Sequence, residues 1–90
     1  MVYAHNETVE YRKVYVDVTA EFSREGGVRP LSLIWKDGRE FAVERVSSYG
    51  RMPARVGGLL PVRYTCIIAG KERWLYFESE KMRWFVEAIQ

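Results

Sequence analysis

The residues that could act as catalysts are few and lie far apart in the sequence. The chain has one histidine, His5, and one cysteine, Cys66. Nucleophilic catalysis needs a base within hydrogen-bond reach of the nucleophile, and His5 belongs to an N-terminal segment that we expect to be a flexible arm. Cys66 lies in an apolar run, so we expect it to be a small core residue. One cysteine alone can form neither an internal disulfide nor a zinc site.

Carboxylates and glycines do not add a catalytic motif. Asp17 and Glu21 share one face of an alternating pattern, but carboxylates on an exposed strand face are usually solvated charges. The pair Gly57-Gly58 lacks the Lys and Ser or Thr of a phosphate-binding loop. We therefore expect no enzymatic activity, no cofactor and no bound metal.

Arginine is the residue with binding chemistry that is most abundant in the sequence. Ten of the 14 basic residues are Arg, and no acidic residue lies between Glu44 and Glu72. A guanidinium group suits carboxylate or phosphate and also stacks on aromatic rings. The net charge of +2 is too small to indicate nucleic acid or membrane as a partner. The simpler interpretation of the acid-free segment is a solvated basic loop.

The elements that must position these residues are strands. Polar and apolar residues alternate from Tyr11 to Phe22, as is typical of a half-buried strand, and Asp37-Gly38 indicates a tight hairpin turn. The predicted strands are residues 11–22, 28–35, 40–46, 62–68, 73–78 and 83–89. The sequence therefore predicts an all-β fold, a six-stranded and mainly antiparallel meander that forms a small barrel or a strongly bent sheet.

The domain organisation follows from the same pattern. Residues 1–10 are expected to form a flexible N-terminal arm, and residues 11–90 a single domain with a long loop at 47–61. We expect Arg51 and Arg55 to be exposed and mobile on this loop, with Leu59 and Leu60 pinning its end to the core. The alternative is that the whole loop is clamped over the core, with the arginines as ordinary solvated charges.

Two turns predict the register of the last three strands. A turn at Gly70-Lys71 would place Cys66 opposite Leu75, and a turn at residues 79–82 would place Tyr76 opposite Phe85. One sheet face then carries core residues, namely Tyr64, Cys66, Leu75, Phe77, Trp84 and Val86. The other face is also apolar, which is unusual, and carries Ile67, Trp74, Tyr76 and Phe85, edged by Arg63, Arg83, Glu78 and Glu87.

This second, aromatic face is the main indication of function. Burial under the N-terminal segment, under the 47–61 loop or in a homodimer would account for it, because large exposed apolar patches are rare on monomers. A more specific interpretation is a platform on which bases of single-stranded nucleic acid stack. The carboxylates of Glu78 and Glu87 count against that interpretation. The candidate binding residues are Trp74, Tyr76, Phe85, Arg63, Arg83, Arg51 and Arg55.

Three short runs carry a resemblance to a known family. Arg29-Pro30-Leu31, Trp35-Lys36-Asp37-Gly38-Arg39 and Trp84-Phe85-Val86-Glu87 resemble a small bacterial domain of unknown function. That domain is similar to the C-terminal module of Y-family DNA-polymerase-like proteins of the mutasome and to short stand-alone proteins of Gram-positive bacteria. The resemblance covers about residues 28–88 and rests on hairpin and core positions. It implies a binding module without an active site and with a DNA-associated role.

Together these observations predict a non-catalytic binding or assembly module. Its expected partner is another protein or a second copy of itself, through the aromatic face, and the alternative partner is single-stranded nucleic acid. No run approaches the ~18 apolar residues of a membrane span. We therefore expect a cytoplasmic protein, with no membrane partner and with Cys66 as a reduced thiol.

Overall fold

The computed structural model describes residues 9–90, and this part of the chain is all strand and loop with no helix. Seven antiparallel strands form one sheet that curls into a half-barrel. The strands are β1 (Tyr11–Phe22), β2 (Val28–Ile34), β3 (Glu40–Ala42), β4 (Arg45–Arg51), β5 (Val62–Ile68), β6 (Lys71–Glu78) and β7 (Arg83–Ile89). The predicted all-β class is confirmed, with one strand more than expected. Nothing in residues 9–90 forms a helix that could cross a membrane.

The strand order, β3-β2-β1-β7-β6-β5-β4, consists of two meanders joined side by side. The join is the antiparallel pairing of β1 with β7, in which Val14 lies opposite Val86. β1 is long enough to serve both halves, because its first six residues pair with β7 and the remainder with β2. The expected single meander is therefore only part of the topology.

The two edge strands of this sheet, β3 and β4, are consecutive in the chain. Only Val43 and Glu44 separate them, yet Val43 N–H donates to Leu31 O on one side at 2.8 Å, and Glu44 N–H donates to Ile67 O on the other, also at 2.8 Å. A link this short can reach both edges only if the sheet is strongly curled. The strand that the sequence predicts at 40–46 is thus divided between the two edges.

The hairpins show where the predicted register was right and where it was wrong. The β6–β7 register is as predicted, with Tyr76 opposite Phe85 and Glu78 opposite Arg83. The β5–β6 turn consists of Ala69 and Gly70, both with positive φ, so Cys66 lies opposite Arg73 instead of Leu75. The slip is two residues, and a slip of two leaves every side chain on its predicted face.

Apolar side chains pack on both sides of the sheet. The inner cluster fills the concave side and consists of Leu33, Tyr64, Cys66, Leu75, Phe77 and Trp84. The outer cluster is smaller, with Tyr76 and Phe85 packed against Ala54 of the loop. Fully burying a Phe-sized side chain contributes about 1.5–3 kcal/mol, so the loop that covers these rings is part of the stable fold.

The loop itself is shorter than the sequence predicts. Residues 45–51 form β4, which pairs with β5, so the irregular segment is confined to residues 52–61. The expected role of its two leucines is wrong, because Leu59 is 81% exposed and Leu60 is 51% exposed. Ala54 and Pro61 are buried instead and attach the loop to the sheet.

Candidate functional site

The outer face, meaning the convex side of β1, β7, β6 and β5, carries a row of aromatic rings. Tyr15 meets Phe85 edge to face at 6.0 Å between centroids, and Phe85 stacks on Tyr76 at 4.8 Å with the rings 6° from parallel. Alternate residues of a strand point to the same side, and β1 and β7 pair so that these rings share a face. Trp74 packs at the end of the row and is half-buried.

The two central rings of this row are closed to a partner. Tyr76 is 0% exposed and Phe85 is 1% exposed. Ala54 and Val56 of the loop pack against them from outside. Of the interpretations left open by the sequence, burial under the loop describes these two residues, and neither ring is available for stacking on a base or on a second copy of the chain.

Basic side chains lie over the remaining ring surface. The Arg83 guanidinium carbon is 3.5 Å from the Tyr15 centroid, and the guanidinium carbons of Arg63 and Arg55 are 4.0 Å and 4.7 Å from the Trp74 centroid. Each such contact contributes about 0.5–1 kcal/mol at an exposed site and fixes the position of the charge. The outer face is therefore aromatic underneath and cationic at its surface.

The two carboxylates of this face are already bonded within the protein. Glu78 accepts hydrogen bonds from Lys13 Nζ at 2.6 Å and from Tyr15 Oη at 3.0 Å. Burial acts to raise the pKa of Glu78, but the hydrogen bonds from Lys13 and Tyr15 and the lysine charge outweigh burial and hold the pKa below its ordinary value. Glu87 accepts from Tyr76 Oη at 2.7 Å and from Val56 N–H at 3.0 Å.

Three guanidinium groups of the outer face have no carboxylate partner in the described part of the chain. Among residues 9–90, Arg55, Arg63 and Arg83 form no salt bridge, whereas Lys13 is paired with Glu78. Arg55 and Arg83 are exposed, and Arg63 is half-buried beside Trp74. These three groups can accept an anionic ligand without first breaking an ion pair.

All the predicted site residues except one lie on the outer face or on the loop that covers it. Arg51 lies on β4 opposite Val62, which packs against the inner cluster, so its side chain lies on the other side of the sheet. Its guanidinium donates to Leu60 O at 2.9 Å and to Ser79 Oγ at 3.1 Å. The expectation that Arg51 belongs to the loop and to the aromatic face is therefore wrong. Arg55 is exposed on the loop, as expected.

Sequence reasoning missed the contribution of β1 to this face. Tyr11, Lys13 and Tyr15 alternate along the strand and contact Arg55, Phe85 and Arg83 through their rings or charge. The period-two spacing of these residues is visible in the sequence. What is not visible is that β1 lies beside β7, a partner about seventy residues away in the chain.

A groove opens where β6 and β7 separate. These strands pair only over Tyr76–Glu78 and Arg83–Phe85, and beyond Tyr76 they diverge. The resulting space, here called the seam groove, has a volume of about 790 Å³. Leu33, Leu75 and Val86 form its apolar lining. The basic residues on its rim are Arg39, Arg55, Lys71 and Arg73.

The catalytic candidates of the sequence are not assembled into a site in the described structure. Cys66 is 0% exposed, and burial raises the pKa of its thiol to about 11, so the nucleophilic thiolate is scarce at neutral pH. Within residues 9–90 no cluster of His, Cys, Asp or Glu is arranged to hold a metal ion. His5 and most of the expected N-terminal arm lie outside the described residues.

Comparison with known proteins does not assign the chain to a family. The interpretation of the outer face and the seam groove therefore rests on their geometry and charge. No family model matches the chain, and no curated protein or solved structure matches it significantly.

Proposed function

We propose that this protein is a non-catalytic binding module that holds an acidic segment of a partner protein on its cation-covered outer face. The observation that carries the proposal is that Arg55, Arg63 and Arg83 are packed on aromatic rings and have no salt-bridge partner within residues 9–90. A guanidinium group that is already held in place loses less side-chain entropy when it binds a carboxylate. The proposal includes a cytoplasmic location, with Cys66 as a reduced thiol.

Homodimerisation through the aromatic rings receives little support from this arrangement. Tyr76 and Phe85 are covered by the chain's own loop, so they add no apolar area to a dimer interface. The exposed groups that remain are cationic, and two copies of the face would repel each other. A partner with the opposite charge is the better complement.

Single-stranded nucleic acid is the second candidate partner. The same guanidinium groups could contact phosphates, and the resemblance of about residues 28–88 to a module of mutasome proteins favours a DNA-associated role. Against it, the rings that would stack on bases are buried or lie under guanidinium groups. Binding of this kind would therefore depend on phosphate contacts and show little base stacking.

Fluorescence anisotropy at low salt distinguishes the two partners. The probes are a labelled peptide of alternating Glu and Gly and a labelled oligothymidylate of similar charge. We expect the peptide to bind, with an affinity that falls as salt is raised, because exposed charges are screened. If only the oligothymidylate binds, the nucleic-acid alternative replaces the proposal, and if neither probe binds, both are wrong.

Matched variants locate the binding surface. The double variant Arg63→Gln/Arg83→Gln should weaken peptide binding about tenfold or more, because a charge-assisted hydrogen bond contributes about 1.5–3 kcal/mol. The double variant Arg24→Gln/Lys36→Gln also removes two charges, from exposed turns in which the Arg24 side chain is 94% exposed, and should change binding little. Equal losses in the two variants would show only a general charge effect and would contradict the assignment to the outer face.

A further inference from the structure

The backbone along the seam groove has hydrogen-bonding groups without a strand partner. The tight turn at Ala69-Gly70 closes with the pair Ile68 and Lys71, so alternate residues of β6, including Arg73, direct their peptide groups to β5. The peptide groups of Glu72 and Trp74 consequently point towards β7. The β6–β7 ladder ends at Tyr76, so within residues 9–90 neither residue is paired there.

The opposite wall of the groove does not fill this edge. From Val86 to Ile89, β7 remains paired with β1 but is no longer paired with β6. Val56 packs against the outer cluster and bonds to this wall through the Glu87 carboxylate, so it does not pair with the backbone of β6. An unpaired strand edge in a groove of about 790 Å³ is a place where an extended peptide can add as a strand.

The charges on the rim indicate what kind of peptide fits. Arg55, Lys71 and Arg73 line the groove and form no salt bridge in the described part of the chain, whereas Arg39 is paired with Asp37. The lining also contains Glu72 and Glu87, but the Glu87 carboxylate is bonded to Tyr76 and Val56. The rim of the groove therefore carries more unpaired positive than negative charges, and the floor of the groove is apolar.

We infer that the seam groove binds an extended acidic segment of a partner protein by strand addition to β6, which rests on the proposed function and specifies how the partner is held. The backbone groups of Glu72 and Trp74 form the main-chain hydrogen bonds. Because side chains of a strand alternate between two sides, the segment that fits has alternating apolar and acidic residues. Leu75 and Val86 lie on the inner side of the sheet and face the apolar residues, whereas Arg55, which lies over Trp74, is on the outer side and faces the acidic residues.

The test compares peptides that differ only in their ability to form a strand. The probe is a capped peptide of alternating Val and Glu, about eight residues long, which is an ordinary strand length. Two further versions carry N-methyl groups on all Val or on all Glu residues. Only one alternate set of N–H groups faces β6, so methylation of one set should reduce affinity at least about tenfold while methylation of the other leaves it nearly unchanged.

A pair of variants at one residue provides the matched control. Glu72→Pro removes the N–H that faces the groove without removing a bond to β5, and Glu72→Gln removes the same charge but keeps the N–H. We expect peptide binding to be lost in Glu72→Pro and retained in Glu72→Gln. Amide signals of residues 72 and 74 should shift on binding to the unaltered protein and exchange more slowly. If Glu72→Pro does not fold, the methylated peptides still decide the matter.

The outcomes separate this inference from the proposed function. If the Val-Glu peptide and both methylated versions bind equally well, strand addition is wrong, while binding of acidic segments to the outer face stands. If the Val-Glu peptide binds no better than the Glu-Gly peptide, the groove contributes nothing and the inference is also wrong. If no acidic peptide binds, both proposals fail.

Discussion

Glu87 joins the loop to the sheet through a single carboxylate. One of its oxygens accepts the Tyr76 hydroxyl hydrogen bond and the other accepts the Val56 N–H. Tyr76 is fully buried, and burial together with the hydrogen bond to Glu87 raises the pKa of its hydroxyl, so the hydroxyl remains a donor across the ordinary pH range. A buried hydroxyl without a hydrogen-bond partner costs free energy of folding, so Glu87 stabilises the fold by bonding to Tyr76. Through Val56 it also holds the loop over the rings.

Replacing Glu87 with Ala should therefore destabilise the protein. The variant leaves the buried Tyr76 hydroxyl without its acceptor, and leaving a buried polar group unsatisfied costs about 1–3 kcal/mol. Urea denaturation would measure the change in the free energy of unfolding. Glu80→Ala, in the exposed 79–82 turn, is the control and should change stability by less than about 0.5 kcal/mol. Equal effects in the two variants would contradict the role of Glu87.

Glu78 predicts how stability depends on pH. Its pKa is lower in the folded protein than its ordinary value of 4.5, so the folded state is favoured above pH 4.5, and this contribution is lost as pH falls through the folded pKa. We expect thermal stability to decline below about pH 4.5 and to decline less steeply in Glu78→Gln. Asp37, whose pKa is lowered by its bonds to Arg39, contributes the same trend to both proteins. Parallel pH profiles for the two proteins would show that Glu78 does not contribute.

Cys66 should be unreactive in the native protein. The thiol is enclosed by the inner cluster, and burial raises its pKa to about 11. A disulfide reagent at pH 8 should modify the native protein at least about a hundredfold more slowly than the urea-unfolded protein, because the thiolate is the reacting species. Comparable rates in the two states would mean that the inner cluster opens readily.

At the scale of elements, the sequence predicts strands well where local signals are strong. Alternation identifies β1, and the Asp37-Gly38 turn identifies the β2–β3 hairpin, in which Gly38 adopts φ 91°. Most of β4 falls in the loop that the sequence predicts from residue 47, because Gly50 and Pro53 disfavour a strand. It forms a strand because β5 offers a ladder of partners, which is information from elsewhere in the chain.

In the candidate site, too, the sequence predicts what local signals determine and misses what depends on strand pairing. The rings of β6 and β7 were predicted on one face because their hairpin is local and its turn sets the register. The β5–β6 register slipped by two because Ala69-Gly70 and Gly70-Lys71 both fit a tight turn, and only the pairing decides. The sequence misses Tyr15 because β1 pairs with β7, which is distant in the chain, and it misplaces Arg51 because no local pattern indicates that β4 pairs with β5.

The loop at 52–61 should show two levels of protection. Val56 N–H is bonded to Glu87, and Gly57 N–H donates to Ala54 O at 3.0 Å, whereas Leu59 is exposed. We expect amide hydrogen exchange to be slower at residues 56 and 57 than at residues 58–60. In Glu87→Ala the protection of Val56 should fall towards that of Leu59. Uniform fast exchange across the loop in the unaltered protein would mean that it does not cover the outer cluster.

At the scale of the whole molecule, the curled sheet has apolar side chains on both of its sides and the seam groove between two of its strands. The inner cluster fills the concave side, while the loop and the cations cover the convex side. β6 remains paired with β5 and β7 with β1, so the split between β6 and β7 lies within a continuous sheet. The proposed peptide strand would therefore pair with β6 at a split inside the sheet, and the edge strands β3 and β4 would not be extended.

The curl depends on the short link between the two edge strands. Val43 and Glu44 donate hydrogen bonds to strands at opposite edges of the sheet, so lengthening the link would uncouple these edges. A short glycine insertion between Val43 and Glu44 should lower the free energy of unfolding by about 2 kcal/mol, from two main-chain hydrogen bonds and added loop entropy.

The same insertion between Gly58 and Leu59, in the exposed part of the β4–β5 loop, is the control and should cost less than about 1 kcal/mol, because that loop connects neighbouring strands of the sheet. Urea denaturation of the two variants measures the difference. In the Val43–Glu44 variant, faster amide exchange at Val43 and Glu44 should accompany the loss. If the two insertions cost the same, the link only connects β3 to β4 and does not hold the edges of the sheet together.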